Sequence, residues 1–398
     1  MLTESRTTLD GALLEELAAL EQAGLRRILR VLHNRAGANV VEGDATYIDF
    51  SSNDYLGLAT DPRVAAAAIE ALRAAGTGAT AARLISGNHE LHSALEQALA
   101  RFLGAEAALL FPSGYMANLG ALPALAGRED GIYADVLNHA SLIDGCRLSR
   151  AERHLVPHLD LGALERALER GGDAVRRRWI VVEGIYSMDG DLSPLADLVA
   201  LARRFDAWIY LDDAHGVGVL GETGRGSVER AGGIAEVPVV MGTLGKAFGV
   251  AGAFVAGSRA LIDFLSNRAR SFVYTTGSPP ALAAAALAAL EIVTSEPERR
   301  ERLRANARAL RNGLAGLGWP PSGPADGHIV PIVIGDSEAM LRTADALKGA
   351  GFLVGAIRPP TVPKGTARLR LTVSSAHSSE DVAALVGALK RALPPLPS

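Results

Sequence analysis

Between residues 179 and 256 the chain alternates short all-apolar runs with an amphipathic one, and few folds tolerate that order. Trp179–Glu183 (WIVVE), Ala207–Asp212 (AWIYLD) and Val237–Gly242 (VPVVMG) read as strands apolar on both faces, with Ala251–Ala256 (AGAFVA) as a further strand. Pro194–Phe205 (PLADLVALARRF) lies between the first two and reads as a helix, with Pro194 suited to its first turn. Such strands, separated by helices, need a parallel sheet covered on both sides. Ligands in such folds bind beyond the C-terminal ends of the strands.

The alternation sits within 398 residues, enough for two or three domains. Residues 1–45 read as an N-terminal helical segment and 46–295 as the large domain, closed by an Ala-rich helix over 280–295. Residues 296–398 read as a small C-terminal α+β domain, with a helix over 299–316 and a strand over 367–373. A net charge of −4 argues against a nucleic-acid binder. The single cysteine, Cys146, excludes an intramolecular disulfide. The N-terminus, MLTESRTTLDGALLEELAAL, lacks the basic start and apolar core of a signal peptide. The longest apolar run, ALAAAALAAL at 281–290, is too short to span a bilayer. A cytoplasmic enzyme without a bound metal is the expectation.

Three familiar patterns fail on inspection. Gly216-Val-Gly218-Val-Leu-Gly221 matches a dinucleotide fingerprint, but no helical pattern opens within it. Gly242-Thr-Leu-Gly245-Lys246 resembles half a P-loop, but Val240 replaces its first glycine and Ala247 its magnesium-binding hydroxyl. His89, His92, His154 and His158 lack zinc-site spacing.

Chemistry emerges when the strand ends are taken together. AWIYLD ends in Asp212-Asp213-Ala214-His215, VPVVMG leads to Thr243 and Lys246, and WIVVE ends in Glu183 before Tyr186 and Ser187. In a parallel sheet these ends share one edge. A lysine among small residues, partly desolvated, has a lowered pKa and can act as nucleophile and base. A nearby carboxylate suits a protonated ring nitrogen, the pattern of a pyridoxal phosphate enzyme. The plainer alternatives are that Asp212 and Asp213 cap the next segment and that His215 and Lys246 are ordinary surface residues.

SNDYLGL (52–58), SGYMANLG (113–120), NHASLIDG (138–145), VVEGIYSMDGDLSPL (181–195), LDDAHGVGVLG (211–221) and TLGKAFG (243–249) resemble the α-oxoamine synthases. These are pyridoxal phosphate enzymes of the aspartate aminotransferase fold, fold type I, with a central mixed, mainly parallel sheet. The resemblance runs from about residue 25 to 377 and implies roles position by position. Lys246 carries the cofactor covalently and later removes the α-proton of the amino acid. Asp212 faces the ring nitrogen, His215 the ring hydroxyl, and His139 stacks on the ring. Gly114, Tyr115, Ser187 and Thr243 help hold the cofactor, the first two through backbone N–H groups at a helix start. Asn53 lies on the substrate side. The resemblance also implies a homodimer with shared active sites, in which Thr275 and Thr276 of SFVYTTGS (271–278) reach the partner's cofactor phosphate.

All members condense an amino acid with an acyl thioester and release carbon dioxide. Ala356–Arg370, AIRPPTVPKGTARLR, resembles the branch that joins L-alanine to a pimeloyl thioester, on coenzyme A or on an acyl carrier protein. There Arg370 grips the amino acid carboxylate, Thr361 lies beside the substrate, and Arg26, next to Arg27, meets the acyl donor. Strand alternation puts Arg368 and Arg370 on one face, and Arg368 reads as a solvent-facing arginine on an edge strand. A glycine-using acetyltransferase and a catalytically silent partner subunit are the alternative readings. GTGATAARLISG (76–87) departs from the family in carrying Ala79, Thr80 and Ala82 where many relatives have glycine.

Overall fold

The computed structural model describes residues 8–171 and 175–395. Its strands begin with β1 (His33–Ala36), β2 (Asn39–Glu42), β3 (Ala45–Phe50), β4 (Ala107–Phe111), β5 (Gly131–Asp135), β6 (Glu152–Val156) and β7 (Arg178–Glu183). They continue with β8 (Ala207–Asp212), β9 (Val239–Thr243), β10 (Ala253–Gly257), β11 (Ile329–Gly335), β12 (Phe352–Ile357) and β13 (Ala367–Thr372).

The larger sheet has seven strands in the order β4-β10-β9-β8-β7-β5-β6. Neighbours from β6 through β9 run parallel, and β10 is antiparallel to both β4 and β9. Residues two apart share a face, and each face has its own helices. Ile180, Val182, Ile209, Leu211 and Val240 pack with helices Leu161–Gly171 and Leu195–Arg204. Trp179, Val181, Tyr210, Val239 and Met241 pack with helices Gly114–Leu125 and Ala140–Ser149. Each fully buried Ile or Leu contributes roughly 1.5–3 kcal/mol, so the sheet can slip in register only at great cost. The register sets Glu183 beside Asp212, and Asp212 beside Met241. The three strand ends therefore reach one edge together.

The second sheet has the order β1-β2-β3-β12-β13-β11. Its β3 runs parallel to β12, with Ile48 opposite Phe352. The boundary expected at 45/46 thus falls inside a sheet, because β1 and β2 pair with β3 and β3 pairs with the C-terminal strands. Pairing across most of the chain is a tertiary event that no local pattern announces. In the N-terminal segment the helix is Leu9–Gln22, and residues 1–7 lie outside the described residues.

Arg368 corrects the sequence reading. β13 is flanked by β12 and β11, so it is no edge strand. The Arg368 side chain is buried and ion-paired with Asp189. The strand's opposite face, Leu369 and Leu371, is buried as well. An alternating strand looks solvated on its polar face unless a counter-ion arrives from elsewhere.

Gly216, the first glycine of the false fingerprint, and Gly226 beyond it answer to a buried carboxylate. A Cβ on Gly216 would lie 2.1 Å from Asp213 Oδ1, and one on Gly226, at φ +88°, would lie 2.0 Å from Oδ2. Asp213 accepts from Ser227 N at 2.7 Å and from Ser227 Oγ at 2.6 Å. Burial raises its pKa to about 7. Asp213 thus ties the loop after β8 to helix Ser227–Arg230, the capping role left open above.

Candidate active site

A cavity of about 210 Å³ opens at the C-terminal strand ends. Its walls include Gly114 and Tyr115 from a helix start, His139, and Asp212, His215, Thr243 and Lys246 from the strand ends. Helix Gly114–Leu125 begins at its wall, with Ser113 Oγ accepting from Met116 N at 3.2 Å. Free N–H groups of such a first turn attract an anion. Thr243 Oγ1 donates to Gly252 O at 3.1 Å and accepts from Gly245 N at 3.2 Å, which shapes the turn that delivers Lys246.

Asp212 ends β8 and is buried. Its Oδ2 accepts from Asn118 Nδ2 and its Oδ1 from Ala214 N, at 2.8 and 3.0 Å. Asn118 also donates to Ser141 Oγ and accepts from Tyr210 Oη, each at 2.8 Å. Glu183, at the next strand end, accepts from His139 N at 2.6 Å. Burial and then the Asp212 charge raise the Glu183 carboxyl well above its usual pKa. His139 Nδ1 lies 2.8 Å from Ser141 Oγ, which sets the ring's orientation at the cavity wall.

Lys246 Nζ lies 3.0 Å from His215 Nε2. Burial lowers the lysine pKa to about 8, against the opposing charges of Asp212 and Glu183 and aided by Arg370. An amine in this range can give up its proton near neutral pH and take one back. Burial, and then the Lys246 charge, push His215 well below the usual histidine range, so its ring is neutral. Its Nδ1 lies 2.6 Å from Tyr55 Oη, whose pKa burial raises to about 12. Tyr55 donates to Asn53 Oδ1 at 3.0 Å, which leaves its oxygen to accept from His215 Nδ1–H and His215 Nε2 to accept from Lys246.

Arg370 is buried on β13, with Nε donating to Ser187 O and both Nη atoms 3.3 Å from Asn53 Oδ1. Among the described residues no carboxylate lies within ion-pair distance of it. Its neighbour Arg368, by contrast, is neutralised by Asp189.

The structure thus brings Lys246, His139, Asp212, His215, Thr243, Gly114 and Tyr115 to one cavity, and links Asn53 and Arg370 to it through Tyr55. It places Ser187 beside Arg370, outside the cavity lining. Thr275 and Thr276 line a different, smaller cavity of about 30 Å³ with Arg83 and His92. Arg26 pairs with Glu21 at 2.9 Å, whereas Arg27 Nη2 donates to Thr361 Oγ1 at 3.0 Å. Sequence reasoning passed over Asn118 and Tyr55 as functional residues. The signal for Asn118 was present, since an asparagine amid an apolar helix is disfavoured unless its amide is used.

The chain matches the aminotransferase class I and II family over residues 45–389. An 8-amino-7-oxononanoate synthase from Methylococcus capsulatus is 50% identical over 379 residues, covering 95% of this chain and 97% of that protein. Among solved structures, a serine palmitoyltransferase variant from S. paucimobilis, with bound pyridoxal phosphate and myriocin, superposes at TM-score 0.90 and 31% identity over 98% of both chains. An 8-amino-7-oxononanoate synthase from Francisella tularensis superposes at TM-score 0.76 and 27% identity, over 87% of this chain and 97% of that one.

Proposed function

The chain belongs to the class I and II aminotransferase family, and from that premise we propose that it is a pyridoxal phosphate-dependent acyltransferase of the 8-amino-7-oxononanoate synthase kind, serving biotin biosynthesis. The reaction joins L-alanine to a pimeloyl thioester and yields 8-amino-7-oxononanoate, carbon dioxide and the free thiol. One observation carries the reading: a shielded lysine and a buried carboxylate share a cavity, while a buried arginine with no carboxylate partner among the described residues stands beside them.

The residues fit the cofactor. Lys246 would hold it covalently, Asp212 would face its ring nitrogen, and His139 its ring face. The start of helix Gly114–Leu125 and Thr243 would hold its phosphate. When bound, the cofactor supplies an electron sink for the α-carbon of the amino acid. Everything else falls to the chain. Arg370 takes the L-alanine carboxylate bidentately, meeting a need its own surroundings leave open. Lys246 takes the α-proton and returns one at the end, held in line by neutral His215. Tyr55 and Asn53 connect the carboxylate site to that proton carrier.

The test is a panel of thioesters offered with L-alanine and analysed by mass. Pimeloyl-CoA and pimeloyl carrier protein are compared against acetyl-CoA with glycine. A product of 8-amino-7-oxononanoate mass is expected. Aminoketone from glycine and acetyl-CoA alone would overturn the assignment in favour of an acetyltransferase. Arg27, which touches Thr361, joins Arg26 as a residue for the acyl donor. Among the described residues no helix is long and apolar enough to cross a membrane. We read the enzyme as cytoplasmic.

We also read the active form as a homodimer, which fits Thr275 and Thr276 lining a cavity other than that of their own chain's Lys246. Mixing a Lys246→Ala subunit with a Thr275→Ala/Thr276→Ala subunit should restore one intact site per heterodimer. Partial recovery of activity on mixing is the expected result. A fully active monomer in sedimentation would contradict it.

A further inference from the structure

The loop from β7 to helix Leu195–Arg204 folds back on itself as a small hairpin. Ile185 bridges Leu192, Tyr186 N donates to Asp191 O at 3.0 Å, and Gly190 N donates to Tyr186 O at 2.8 Å. The tip serves both arginines of β13. Asp189 takes the Arg368 guanidinium, and the Ser187 carbonyl takes Arg370 Nε. The tip also presses on β11, for a Cβ on Gly190, at φ +71°, would lie 2.4 Å from Ile329 O. The hairpin therefore holds the Nε side of the Arg370 guanidinium, while Asn53 meets its two Nη atoms.

One residue far along the chain holds this hairpin to the large sheet. His158 Nε2 lies 2.9 Å from Asp191 Oδ2, and its Nδ1 lies 3.0 Å from both oxygens of Asp135. Asp135 ends β5 and is itself anchored, accepting from Leu137 N at 2.8 Å and Leu159 N at 3.0 Å. The edge of the His158 ring meets the buried Tyr186 ring at a centroid distance of 4.4 Å. We infer that His158, clamped between Asp135 and Asp191, is a positioning residue that fixes the Ser187–Asp191 hairpin and through it the aim of Arg370 at the amino acid carboxylate.

The chemistry of the clamp supports this. A neutral imidazole has one N–H and could donate to only one of the two carboxylates. Burial disfavours the second proton on the ring. Hydrogen bonds to Asp135 and Asp191 outweigh that cost and raise the pKa to about 10, so both nitrogens donate. Glutamine could still reach one acid but could not span both with charge.

The inference rests on the reading of Arg370 as the carboxylate arginine, and the experiment separates the two. His158→Gln and Asp191→Asn are assayed as holoenzymes for KM of L-alanine, KM of pimeloyl-CoA, kcat and thermal midpoint, with Arg370→Ala alongside. The KM for L-alanine should rise about tenfold in both clamp variants, since lost aim weakens a charge-assisted fork by roughly 1.4 kcal/mol. The KM for pimeloyl-CoA should stay within about twofold. Asp191→Asn keeps side-chain shape and carries the test if His158→Gln does not fold. A lowered midpoint with an unchanged KM for L-alanine in Asp191→Asn would reduce the clamp to a structural feature and overturn the inference. A wild-type KM for L-alanine in Arg370→Ala would instead overturn the carboxylate reading.

Discussion

Replacing Lys246 by alanine is expected to abolish turnover and leave the fold intact. The kcat should fall by at least about 10⁴-fold, because covalent anchor and proton carrier vanish together. Among the described residues the only hydrogen bond of the amine is to His215, so stability should change by no more than about 1 kcal/mol. The checks are steady-state turnover, the visible absorbance of the bound cofactor, and borohydride treatment, which should no longer attach the cofactor to the chain. Appreciable steady turnover by the variant would remove Lys246 from its assigned role.

Asp212→Asn should retain cofactor but slow the exchange of the α-proton of L-alanine by about 10³-fold. The native carboxylate is buried and held by Asn118 and Ala214, so its charge is aimed rather than screened. An amide has no charge with which to keep a ring nitrogen protonated. Loss of about three pKa units there corresponds to about 4 kcal/mol. The amide would also turn an NH2 toward one of those two donors, at a cost of about 1–3 kcal/mol in stability. Exchange into deuterated water, followed by NMR without the acyl donor, isolates the proton step. A near wild-type rate would mean that Asp212 does not face the ring nitrogen.

The central strands were legible because burial on both faces leaves a continuous apolar run, and such runs occur at 179–183 and 207–212 as β7 and β8 require. The positions of Asp212, His215 and Lys246 followed, since residues just past parallel strands must emerge on one edge. Asp213 was ambiguous in sequence, and Gly216, which helped imitate a nucleotide motif, makes room for its carboxylate together with Gly226. Arg368 was misplaced because its partner, Asp189, arrives from a loop that no periodicity of β13 could reveal.

By itself the sequence determined the doubly covered parallel sheet, the edge where chemistry gathers, and the residue types delivered there. These depend on side-chain periodicity and on turns, which are local. Only the tertiary structure decided that β3 joins β12, that Asn118 holds Asp212, that Tyr55 orients His215, and that one buried arginine of β13 is neutralised by Asp189 while the other has no carboxylate partner among the described residues. Those contacts join segments far apart in the chain, and their energy depends on distance and shared burial, which no stretch of sequence contains alone.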